Sequence, residues 1–226
     1  MTGEPSNASE VAPGTIAPTF EVHDVTWVGD AAAPTLSFAL GVTEASGREV
    51  FTIALTAQIN IDPARRAYDV PTREALVELF GAPERWSATT NSFLFAHATT
   101  LVPSFTGHTM FTLAVPCTYD LELAAAKYFH SLPEGEVPLS FHFTGSVLYR
   151  GDAGQMQVVL IPWTCSADWR MPVETWRAMM DHHYPGGGWV RLRDQTLDTL
   201  ARRKAARGLH SYDATVAELL LGEEES

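Results

Sequence analysis

The side chains best suited to chemistry in this chain are Cys117, followed by His130 and His142, and the pair His182-His183 after Asp181. A thiol with an imidazole to take its proton is the heart of a thiol enzyme or hydrolase, and Asp120 would then orient His130. Imidazoles beside a thiol are also ligands for a soft metal, so a metal carrier, for nickel among others, is the companion reading. Spacing brings none of these groups together. If Phe141 and Phe143 face a core, His142 faces away from it, because side chains alternate along a strand. Adjacent histidines on a helix diverge by roughly 100°, so His182 and His183 do not chelate as an i, i+4 pair would. The plainer account makes Cys117 a buried strand-end residue, since a free thiol packs as a small hydrophobe.

Glycines offer no better lead. Gly186-Gly187-Gly188 follows a helix and precedes Trp189-Val190-Arg191, the reverse of the strand–loop–helix order of a phosphate loop. Gly145-Ser146 lies inside a strand pattern and lacks the second glycine of a nucleophile elbow. No metal, cofactor or catalytic signature survives. The remaining candidates are partner contacts. Arg202, Arg203, Lys204 and Arg207 form a basic helix face, which is solvated, docks on an acidic partner or pairs with the chain's own acidic tail. Trp163, Trp169, Trp176 and Trp189 gather near one junction, either as glue between layers or as a groove for a partner segment.

These groups sit on a chain of 226 residues, long enough for a proper core, with 46% hydrophobic and 19% charged residues. A formal net charge of -12 argues against general nucleic-acid binding and against an anionic membrane surface, both of which need Lys and Arg. No apolar run is long enough to span a bilayer, so membrane insertion is not expected. Two distant cysteines, Cys117 and Cys165, make no disulfide framework, and with no signal-peptide pattern at the N-terminus a cytoplasmic protein is expected.

Residues 1–18 read as a disordered tail. A β-rich body is expected over 19–165. Its strand patterns cover 20–25, 34–42, 49–61, 92–102, 110–115, 137–149 and 156–160, with a hairpin predicted between 34–42 and 49–61. Short helices are inserted at 72–80 and 119–132. A helical C-terminal appendage is expected over 166–222, packed on the body, before an acidic tail at 223–226. The fold class is therefore mainly β (α+β), an antiparallel β-sandwich-like body with added helices.

The strings VPCTYDLELAAAKYFHSLPEGEVPLSFHFTGSVLYR, ALTAQINIDPARRAY and GGGWVRLRDQTLDTLARRKAARGL resemble an actinobacterial family known as domain of unknown function 6084. The resemblance extends from about Phe20 to Leu221. It implies no activity, catalytic residue or cofactor. It does imply an accessory role beside uptake nickel-iron hydrogenase and its maturation. The function expected is that of a non-catalytic scaffold or assembly protein that binds another protein, with the Cys117 enzyme and the metal carrier as alternatives.

Overall fold

Burial alternates along nine strands in the computed structural model, which describes residues 16–86, 90–117, 123–186 and 192–223. In chain order they are β1 (Thr19–Trp27), β2 (Thr35–Thr43), β3 (Glu49–Ile61), β4 (Phe93–Val102), β5 (Phe105–Thr106), β6 (His108–Pro116), β7 (Glu136–Arg150), β8 (Met156–Leu160) and β9 (Ser166–Pro172). One sheet has the order β1-β2-β6, the other β4-β3-β7-β8, with β5 added to β3 and β9 to β7. Every pairing is antiparallel. The sheets face each other through aromatic side chains: Phe38 meets Phe141 at 5.2 Å and Phe20 meets Phe143 at 4.5 Å between ring centroids. This is the expected mainly-β sandwich with inserted helices.

The predicted hairpin is not there. β2 belongs to one sheet and β3 to the other, so Glu44–Arg48 is an arch between layers. The buried Glu44 carboxylate accepts the Ser46 backbone N–H at 3.0 Å and its hydroxyl at 2.6 Å, which fixes the arch. An arch sets the apolar faces of the two strands against each other, whereas a hairpin would lay them side by side.

Helix α1 (Val70–Ala75) starts where the Asp69 carboxylate accepts the Thr72 N–H at 3.0 Å, and α2 (Val77–Phe80) follows after a break at Leu76. Together they replace the single helix expected there. Leu76 and Phe80 are the buried apolar residues of this stretch. Helix α3 (Leu123–Ser131) carries Ala125, Tyr128 and Phe129 on its buried side, as its spacing predicts, while the expected start at 119–122 lies outside the described residues. Helix α4 (Val173–His183) buries Val173, Trp176 and Met179.

The expected boundary at 165/166 moves. Residues 166–172 form β9, paired to β7 from Glu136↔Pro172 to His142↔Ser166, and the two compact units divide between Pro185 and Gly186. β9 escapes a periodicity reading because Met171 is its one buried residue. Ile16, inside the expected tail, is buried, and the rest of that tail up to residue 15 lies outside the described residues.

The second unit contains α5 (Asp194–Arg207) and α6 (Tyr212–Glu223). Gly208 closes α5 in the left-handed region, and Ser211 Oγ accepts the Ala214 N–H at the start of α6. Among the described residues no helix is long and apolar enough to cross a membrane.

Candidate functional site

Cys117 directly follows β6 and is buried, its backbone N–H bonded to Pro34 O at 2.6 Å and its thiol directed to Val115 O at 3.5 Å. Burial pushes this thiol up to about 12. At neutral pH it is a neutral thiol, and neutral thiols are poor nucleophiles and poor metal ligands. Native-state alkylation checks this. At pH 8, ionisation alone should make Cys117 react with iodoacetamide roughly a thousandfold more slowly than a free thiol. Half-buried Cys165, whose thiol donates to Pro18 O at 3.2 Å, should be modified first. Prompt labelling of Cys117 without denaturant would show an accessible thiolate and revive the enzyme reading.

The histidines are dispersed. His130 is exposed on α3 and meets the edge of Trp176 at 5.1 Å. His142 is exposed on the outer face of β7, as its position between Phe141 and Phe143 predicts. His182 tilts over Trp27 at 4.7 Å and places Nε2 3.1 Å from Gly29 O, with His183 edge-on to it at 5.2 Å. Among the described residues no three His, Cys, Asp or Glu side chains gather as a metal site.

The tryptophans separate as well. Trp176 is 4% exposed and lies flat on Phe129, centroids 4.9 Å apart, so it is core and not a docking residue. Trp169, on β9 opposite Leu139, is half-buried against the core. Trp189 lies outside the described residues. Trp163 alone among the described members of the set is open, at 87% exposed. Within the second unit, Arg203 and Arg207 both pair with Glu218, at 3.1 and 3.3 Å, and the Lys204 ammonium lies 4.8 Å from the centre of the Tyr212 ring. Arg202 reaches Thr199 Oγ1 at 3.4 Å. Much of the basic face is thus engaged by its own helix pair.

Trp163 marks a larger surface. The edge of β7 is shared by β9 along 136–142 and by β8 along 146–150. Between them the chain crosses at Gly145, held by Ile161 N–H to Gly145 O and Phe143 N–H to Cys165 O, both 3.0 Å. Trp163 stands at the tip of that crossing, in a turn closed by Cys165 N–H to Pro162 O at 3.0 Å. Beside it β8 turns Met156, Val158 and Leu160 to solvent, 63%, 62% and 71% exposed. The register extends the apolar surface across the sheet: Leu160 pairs with Ser146, Ser146 with Ala54, and Ala54 with Leu101, itself 71% exposed. A second row joins Val158, Leu148 and Thr52.

Toward the other end of the same face the rows turn polar, as Thr99-Thr56-Thr144 and His97-Gln58-His142. Charge borders the apolar end: Arg150 bonds Glu49 at 2.8 Å and covers Phe51 at 5.0 Å, and Arg48 bonds Asp152 at 3.0 Å. The result is an apolar half-face with a charged rim, ending in a strand whose far side pairs with no other strand among the described residues. Sequence reading found Trp163 and missed the rest. MQVVL sets Met156, Val158 and Leu160 on one face and Gln157 and Val159 on the other, so alternation alone would turn the first face inward, and the structure turns it out.

A family model described as a family of unknown function (DUF6084) matches residues 15–226. No curated protein matches the chain. Among solved structures, a protein assigned to the late embryogenesis abundant class is 12% identical, over 69% of this chain and 71% of its own, with a TM-score of 0.32. The ApaA protein from Bordetella pertussis is 10% identical over 69% and 93%, with a TM-score of 0.22. β-Glucosidase 3B from Thermotoga neapolitana is 11% identical over 68% of this chain and 17% of its own, with a TM-score of 0.23. Likenesses this distant carry no argument about fold or activity.

Proposed function

The chain belongs to the DUF6084 family of unknown function, and from that premise we infer that it is a non-catalytic accessory protein whose outer sheet face receives a segment of another protein. One observation carries the reading: the open edge of β8 presents Met156, Val158 and Leu160 to solvent beside the exposed Trp163. Proteins avoid leaving a long apolar edge strand bare, because it templates pairing with any chain it meets. The occupant that fits is an extended segment with apolar side chains at alternate positions. It adds a strand to β8, its backbone taking the free hydrogen-bonding groups and its side chains covering Val158 and Leu160. Trp163 at the rim supplies the rigid aromatic anchor that such interfaces concentrate energy on.

The partner's identity rests on the family resemblance, which points to an actinobacterial host and to assembly components of an uptake nickel-iron hydrogenase. Two free cysteines suit a cytoplasmic place of action. A photo-crosslinking residue at position 163, introduced in the native host, tests the site. One heterologous protein should be captured. Its yield should fall about tenfold when Val158→Lys and Leu160→Lys are added, and Thr112 on the other sheet should give none of it. Crosslinks to a second copy alone, with a dimer by light scattering, would make this a self-association face. Capture indifferent to the two lysines would overturn the reading.

A further inference from the structure

Gly41 lies in the interior of β2, on the outer face of the β1-β2-β6 sheet, with a backbone conformation open to any residue. Glycine there weakens the strand, and its usual meaning is that something else approaches closely. Here two imidazoles do. From the point where a Cβ on residue 41 would stand, His23 Nε2 is 2.6 Å away and His108 Nε2 is 3.2 Å away. The rings come from opposite neighbours, β1 and β6. His23 is the residue left over by a bulge between Val22 and Asp24, a device that re-aims a side chain. Glu21 stands alongside, Oε2 3.9 Å from His23 Nε2, and Met110, itself 47% exposed, pairs directly across from Gly41.

We propose that His23 and His108 form a two-imidazole seat for a divalent transition metal of the copper, nickel and zinc class, with Gly41 kept free of a side chain so that both rings can close on the ion. Imidazole nitrogen is the donor these metals share and that calcium and magnesium reject. Two ring nitrogens within 2.6 and 3.2 Å of one point are close enough together to share an ion at the usual about 2.0–2.1 Å from each. No third His, Cys, Asp or Glu completes a preformed set among the described residues, which leaves the remaining positions to water, with the Glu21 carboxylate 3.9 Å from His23 Nε2. A site open on that side releases and exchanges its ion, unlike a closed structural centre. It lies on the opposite sheet from β8 and does not depend on the docking reading.

The test uses the untagged full chain, titrated calorimetrically with Cu2+, Ni2+ and Zn2+ in turn, with electron paramagnetic resonance of the copper form. One equivalent should bind, copper tightest, with two nitrogens coupled to copper. His23→Ala or His108→Ala should each weaken binding about tenfold or more and leave one of those nitrogens. Gly41→Val should remove the site, and the double variant His182→Ala, His183→Ala should change nothing. Because His23 and His108 are exposed, their variants decide the matter even if Gly41→Val folds poorly. No binding to the parent protein, or unchanged affinity and an unchanged spectrum without His23 and His108, would overturn the assignment.

Discussion

Replacing Gly145 by alanine is expected to cost about 3–5 kcal/mol and lower the melting temperature by roughly 10 °C. Gly145 holds φ +144, outside the reach of ordinary L side chains, and a Cβ there would stand 2.0 Å from Ala54 O. That oxygen belongs to the neighbouring strand β3, so no flexible side chain can yield; the β3–β7 pairing itself must open. The same residue lets β7 hand its edge from β9 to β8, so the variant should also loosen the turn that carries Trp163. Gly154 provides the control. It has φ +82 with open space around it, and its alanine variant should lose only about 1 kcal/mol. Urea unfolding of both separates a steric requirement from a conformational one. A Gly145→Ala protein melting within a few degrees of the parent would mean that the two strands do not approach as closely as described.

Trp176→Ala should be comparably damaging, at about 3–5 kcal/mol, because a large aromatic leaves a cavity that its surroundings fill only in part. Trp176 joins α4 to α3 by stacking within 9° of parallel on Phe129, with His130 against its edge. Trp163→Ala, by contrast, removes a side chain that is 87% exposed and should stay within about 0.5 kcal/mol of the parent. On the docking reading the second variant loses partner capture while keeping its melting temperature. Thermal unfolding alongside the crosslinking assay checks the pair. A stable Trp176→Ala protein, or a Trp163→Ala protein that unfolds early, would invert the two roles.

The same two residues show where sequence reading stops. Trp163 and Trp176 lie thirteen positions apart, in similar composition, and nothing local marks one as core and the other as surface. Trp176 could be placed on the stripe with Val173 and Met179, since helical spacing fixes a face. Which way that face points depends on Phe129, nearly fifty residues earlier. Likewise His142 was legible as outward-facing because Phe141 and Phe143 flank it, whereas His23 and His108 drew no notice. Eighty-five residues separate that pair, and only the order β1-β2-β6 sets both over Gly41.

By itself the sequence determined the period of the regular elements: which residues of β7 share a face, which side of α3 and α4 is apolar, and that the body is mainly β. Those features arise from the local geometry of the backbone and from side-chain spacing, which a short stretch contains in full. The tertiary structure decided everything that depends on partners. It split β2 from β3 into opposite sheets, left the β8 edge bare, sank Trp176 while exposing Trp163, and brought two imidazoles to one point. Period two names a buried face without naming what buries it, and strand pairing is chosen by the total surface removed from water, a quantity no short window of residues contains.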